Sequence, residues 1–131
     1  MSQDRLVAVA IVSHAAEIAR GTADMVHQMV GTAVRVGSCG GNADGGLGTD
    51  VEKIRAMLAD IWTPAGVAVL VDLGGAEMNT EMAIEMLPAD RRSDFTICNA
   101  AIVEGAVMAA TQASTGSGLQ DVQQAAEDAI G

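Results

Sequence analysis

Ser13 and His14 are the first residues of this chain whose types invite chemistry, and their neighbours say what kind. Leu6 to Val12 is wholly apolar, and the apolar residues after His14 recur at helical rather than alternating spacing. His14 therefore stands where a buried strand hands over to a helix. The carboxyl end of a strand that meets a helix amino terminus gathers unpaired N–H groups, the positive end of a helix dipole and access to solvent, which suits a phosphate. An imidazole placed there can act as base, nucleophile or ligand. A lone histidine also serves as a hydrogen-bonded cap, and this stretch alone leaves both readings open.

A nucleophilic imidazole needs one ring nitrogen free and the other held as a donor, which an ionised carboxylate within reach provides. Asp72 closes a later apolar run and is the carboxylate so placed; Leu73, Gly74 and Gly75 follow it. Its other reading is a helix N-cap or Asx-turn opening that glycine pair. Ser13, Gly74 and Gly75 are candidates for contact with a phosphate or for shaping the turns. Serine-hydrolase chemistry fits poorly, because no GxSxG elbow occurs.

Cys39 and Cys98 are far apart with no CxxC, and two cysteines with two histidines predict no metal site, so both read as reduced, buried thiols. His27 falls on a polar helix face with Arg20 and Asp24 and reads as a solvated residue. GSCGGNADGGLGTD, Gly37 to Asp50, has no lysine and no GxxxxGK[ST], so it reads as a mobile loop at the sheet edge rather than a nucleotide loop, and no cofactor is expected. What remains is phosphoryl transfer on a histidine without a nucleotide of its own.

The elements that must position these residues alternate. Ala15, Ile18, Ala19, Thr22, Met25, Val26 and Met29 predict the buried face of a first helix closed by Gly31, and Ala33 to Gly37 a second strand. Thr49 to Glu52 form a capping-box pattern, ahead of a stripe of Val51, Ile54, Leu58 and Ile61. Val67 to Val71 lacks alternation, as a central parallel strand does. The next helix carries an acidic row, Glu77, Glu81 and Glu85, read as solvated, and Met78, Met82, Ile84, Met86 and Leu87, read as its apolar contacts. Phe95 to Cys98 predicts a fourth strand, Glu104 to Thr115 an alanine-rich helix, and Leu119, Val122, Ala125, Ala126 and Ile130 a last one.

Such alternation gives an α/β fold of three layers: an open, mostly parallel sheet with helices on both faces. Right-handed crossovers then bring Ser13, His14, Cys39, Asp72 to Gly75 and Asn99 to one rim. A length of 131 residues, half of them hydrophobic, suits a single domain. The formal charge of −10 would repel nucleic acid and anionic membranes and attract a basic protein. No signal-like segment is present, and no apolar run approaches the roughly 20 residues of a membrane helix, so a cytoplasmic protein is expected.

Four stretches resemble one family: IVSHAAEIARG, GTD at Gly48 to Asp50, VDLGGAEMNTEMA at Val71 to Ala83, and IVEGAVMAA at Ile102 to Ala110. They are similar to the DhaM family, the phosphotransferase subunits of bacterial dihydroxyacetone kinases, built on the mannose-type EIIA fold of the sugar phosphotransferase system. The likeness spans nearly the whole chain. It implies that His14 is phosphorylated by the carrier HPr and passes the group to ADP held on a DhaL subunit, while DhaK holds dihydroxyacetone. It also implies that Asp72 lies beside His14 and that the chain forms a homodimer. The family often has DMGSA where this chain has Asp72 to Ala76 with glycine at position 75, and a proline where Ala101 stands, so a hydroxyl at 75 is lost. Two other readings are an EIIA domain of a mannose-type transporter that passes phosphate to an EIIB protein, and a regulatory module switched by phosphorylation of His14.

Overall fold

The computed structural model describes residues 5–129. Four strands form one sheet in the order β2-β1-β3-β4, with β1 at Ala8–Ser13, β2 at Val36–Gly40, β3 at Val67–Val71 and β4 at Phe95–Cys98. All neighbours are parallel, with Val9 opposite Val36, Ala8 opposite Val67, and Val67 opposite Phe95. Five α-helices connect and cover the strands: α1 (Ala16–Val30), α2 (Val51–Ile61), α3 (Gly74–Glu85), α4 (Ile102–Ser114) and α5 (Leu119–Glu127).

The central strands are buried on both faces because helices cover both. Val7, Val9 and Ile11 join Leu70, Cys98 and the alanines of α4 in one core with α1 and α5. Ala8, Ala10 and Val12 point the other way, onto Ile54 and Leu58 of α2 and Ala76 and Ala83 of α3. This period-two division of one strand makes the three layers. Among the described residues no helix is long and apolar enough to cross a membrane.

Several boundaries and faces differ from the sequence reading. The second strand runs from Val36 to Gly40 rather than from Ala33 to Gly37, because it follows β1 in register as far as Ser13, opposite Gly40. A Cβ at Gly40 would sit 2.7 Å from the Ala15 carbonyl oxygen, so glycine there admits the backbone that leads into α1. The glycine loop is accordingly shorter, starting at Gly41. It folds around Asn42, whose Oδ1 accepts from the amides of Asp44 and Gly46 while its own carbonyl takes Lys53 Nζ. The cap of α2 is Asp50, which accepts from Lys53 N at 3.0 Å, and not Thr49. The alanine-rich helix starts two residues earlier, at Ile102. Ile130 lies outside the described residues.

The larger correction concerns methionine. α1 packs inward through Ala19, Thr22, Ala23 and Val26, which leaves Ile18, Met25 and Met29 exposed. α3 does the same through Ala76, Thr80 and Ala83, leaving Met78, Met82 and Met86 outside. Both helices carry two apolar stripes side by side, and the one made of small residues lies against the sheet, where backbones approach closely. Met25, Met29, Val103, Val107, Met108 and Ala125 line an open apolar groove of about 730 Å³ between α1, α4 and α5.

Candidate functional site

Between β1 and β3 the chain's crossovers diverge, one leading out to β2 and the other to β4, and that switch point opens a crevice beyond the strands' carboxyl ends. Ser13 and His14 leave β1 on one side of it, and Asp72 leaves β3 on the other. The two ends meet directly. His14 Nδ1 lies 2.9 Å from Asp72 Oδ1, and the His14 amide donates to Asp72 Oδ2 at 3.0 Å. Ser13 Oγ donates to the same Oδ2 at 2.7 Å, and the Leu73 amide to Oδ1 at 2.7 Å.

Four donors therefore converge on one carboxylate, two to each oxygen. Burial pushes the Asp72 carboxyl up, but the bonds from Ser13, His14 and Leu73 outweigh it and hold it below the usual range. An ionised carboxylate only accepts, so Nδ1 carries a proton and, in the neutral ring, the lone pair belongs to Nε2. Nε2 has no hydrogen bond among the described residues, and the side chain is 28% exposed. A Cβ at Gly75 would stand 3.4 Å from Nε2, so the open nitrogen lies over the first turn of α3. That helix has no side-chain cap, and its N-cap is Leu73 rather than Asp72. The aspartate faces β1, and the positive end of the α3 dipole is left for a ligand of His14.

Ser13 is fully buried; its Oγ also accepts from the Ala15 amide at 3.1 Å, so both of its roles are taken inside the protein. Gly75 borders Nε2, whereas a Cβ at Gly74 would meet nothing within 4 Å. Asn99 reaches the rim, but its amide is bound to Glu127 Oε2 at 3.0 Å. Cys39 lies on the other edge of the sheet, in a cleft with Arg20 and Lys53, away from the His14–Asp72 contact. Burial raises its thiol, helped by Asp50 and opposed by Lys53. Burial first, and Glu127 second, push the Cys98 thiol up to about 12 against a backbone bond to Val69. With two strands between them, both cysteines are free and out of bridging distance. Among the described residues no three His, Cys, Asp or Glu side chains gather as a metal site.

Two supports escaped the sequence reading. The Gly48 amide donates to the His14 carbonyl at 2.9 Å, so the far end of the glycine loop holds the histidine's backbone. Asn79 Nδ2 donates to Thr49 Oγ1 at 2.6 Å and clips the loop to α3. The only trace of either in the sequence is the GTD tripeptide, whose use depends on a helix 30 residues away.

The chain is similar to several known proteins. A donor subunit from Listeria innocua, "PEP-dependent dihydroxyacetone kinase 2, phosphoryl donor subunit DhaM", is 35% identical over 107 residues, 82% of this chain and 86% of the relative. The corresponding Escherichia coli subunit is 27% identical, and the match covers 89% of this chain but 25% of that longer protein. The crystal structure of protein EF1359, itself described as of unknown function, superposes with a TM-score of 0.81 at 30% identity, covering 96% of this chain and 97% of the other. The model of the EIIA-man family, described as the PTS system fructose IIA component, matches residues 8–123, and the chain belongs to that family.

Proposed function

We propose that this chain is the phosphohistidine carrier of a dihydroxyacetone kinase system: it takes a phosphoryl group from phospho-HPr onto His14 and passes it to ADP bound on a DhaL subunit, which serves a DhaK subunit holding dihydroxyacetone. The observation that carries the reading is the division of labour on one ring. Nδ1 is tied to Asp72 at 2.9 Å and Nε2 is open over Gly75. The names of the Listeria and Escherichia relatives supply the kinase.

In the forward step the Nε2 lone pair attacks phosphorus, the Nε2–P bond forms, and the donor's bond to phosphorus breaks with its electron pair leaving on the donor. The ring becomes cationic, and Asp72 at Nδ1 stabilises that charge while holding the ring in line. In this reading the first amides of α3, at Gly74 and Gly75, donate to the phosphoryl oxygens. In the second step an oxygen of the ADP β-phosphate attacks, and the Nε2–P bond breaks back onto the ring. Ser13 acts as a positioning residue through Asp72. The chain would work in the cytoplasm as a homodimer, without a metal or cofactor of its own.

The test is a relay. The protein is incubated with Enzyme I, HPr and labelled phosphoenolpyruvate, and DhaL with ADP is then added. Label should settle on His14 and move to ADP. Label that stays on His14 with DhaL·ADP but moves to an EIIB protein would support the transporter reading instead, and label that reaches neither would leave the regulatory one.

A further inference from the structure

His14 stands outside regular structure. β1 ends at Ser13 and α1 begins at Ala16, so His14 and Ala15 form a bend between them. In that bend the histidine's carbonyl finds its partner in the Gly48 amide, at 2.9 Å. Asp72 fixes the residue from the other side, through the His14 amide and Nδ1. The residue is therefore held from two directions, by the end of β3 and by the glycine loop.

That loop is compact. Besides the bonds to its Oδ1, Asn42 donates from Nδ2 to the Leu47 carbonyl at 3.2 Å and from its amide to the Gly46 carbonyl at 2.9 Å. Gly48, at a φ of 131°, then turns the chain toward His14 in a conformation that other residues rarely adopt. Two residues on, Asp50 caps α2. Between them stands Thr49, whose Oγ1 accepts from Asn79 Nδ2 at 2.6 Å. α3 is seated on the sheet by Ala76, Thr80 and Ala83, so of these two partners the helix is the fixed one. Asn79 lies four residues beyond Gly75, hence on the same helix face as the glycine that borders Nε2. One side chain thereby joins the helix under the reactive nitrogen to the loop that holds the histidine's backbone.

Resting on the carrier reading, we propose that Asn79 is a positioning residue for phosphoryl transfer, acting through Thr49 and Gly48 on the His14 carbonyl to keep Nε2 in line with phosphorus. Displacing a reacting atom by about 1 Å costs on the order of 100-fold in rate. Loss of one clip loosens the loop without removing the Asp72 contact, so the expected loss is smaller, about five- to twentyfold.

The experiment compares wild type with Asn79→Ala, Thr49→Val, Thr49→Ser and the double variant Asn79→Ala with Thr49→Val. Single-turnover transfer from phospho-HPr to His14 is followed at rising donor concentration, which separates the saturated rate from donor affinity. Asn79→Ala and Thr49→Val should each lower the saturated rate about five- to twentyfold while half-saturation stays within about twofold of wild type. The double variant should be no slower than the slower single one, because both substitutions cut the same connection. Thr49→Ser keeps Oγ1 and should restore most of what Thr49→Val loses. Alanine is favoured over asparagine inside a helix, so the melting temperature of Asn79→Ala should hold or rise. Deuterium exchange at the Gly48 amide should speed up about tenfold in both single variants. A saturated rate within about twofold of wild type in Asn79→Ala overturns the proposal and leaves the carrier reading standing. A slower rate with unchanged Gly48 exchange overturns it too, because Asn79 would then act without the loop, and so do additive losses in the double variant. If wild type takes no label at His14, the carrier reading fails and the proposal with it.

Discussion

Replacing Asp72 by asparagine changes one atom and tests the whole site. The wild-type carboxylate accepts from His14 Nδ1 and the Leu73 amide on one oxygen and from Ser13 Oγ and the His14 amide on the other. An asparagine has one accepting oxygen, so its NH2 must face one of these pairs. Facing the first pair, it opposes the Leu73 amide and drives the imidazole to the tautomer whose lone pair is on Nδ1. Nε2 is then protonated and cannot attack. Facing the second, it opposes the His14 amide, while the Ser13 hydroxyl can turn to accept. Either way one backbone N–H loses its partner, and the charge that stabilises the phosphorylated ring is gone.

A hydrogen bond to a charged group contributes about 1.5–3 kcal/mol where it is buried, and Asp72, at 17% exposure, is close to that limit. We therefore expect Asp72→Asn to lower the single-turnover rate of transfer to His14 by about 10- to 100-fold, equal to ~1.4–2.7 kcal/mol, and to lower stability by about 1–2 kcal/mol. Rapid quench with phospho-HPr gives the rate, and nitrogen chemical shifts of His14 give the tautomer. The wild-type ring should show Nδ1 protonated, and the variant a shift toward protonated Nε2. A transfer rate within twofold of wild type, with an unchanged tautomer, would refute the argument and reduce Asp72 to a structural residue.

Three further outcomes follow from the same geometry. Gly75→Ala places a methyl group 3.4 Å from Nε2 at a helix position where alanine is favoured, so the melting temperature should hold or rise while transfer to His14 falls at least tenfold. Loss of both, or of neither, would contradict the placement of the phosphoryl group over this turn. Asp72 has a folded pKa below its ordinary 3.8, so its stabilising contribution is present above about pH 4 and is lost as pH falls through the folded value. The stability gap between wild type and Asp72→Asn, measured by urea unfolding, should therefore be full at pH 7 and shrink below pH 4. Cys98, pushed up to about 12, should resist alkylation by iodoacetamide at pH 8 in the native protein and react once it is unfolded.

Legibility in the sequence followed the range of the interactions. The apolar runs of β1, β3 and β4 and the break after each are local, so the strands and the rim could be read directly. Layer rules brought His14 and Asp72 to one rim but not side by side, because their contact depends on β1 and β3 being neighbours in the sheet. The glycines of β2 could not be read as a strand, since their place there depends on Ala15 of another segment passing within 2.7 Å of where a Cβ would be. The Gly48 and Asn79 contacts are long-range in the same way.

The methionines teach something more specific. A helix with both a small-residue stripe and a methionine stripe has no single apolar face, and periodicity cannot rank the two. Packing ranks them: alanine and threonine let a helix approach the sheet, and a methionine turned inward at the same spacing would hold it off. On α3 that choice leaves Met78, Met82 and Met86 outside beside three unpaired glutamates, at the helix whose first turn faces the open nitrogen of His14. A fold that needed those methionines for its core would have buried them. Their exposure is tolerated because α3 is anchored by Ala76, Thr80, Ala83 and Leu87 without them.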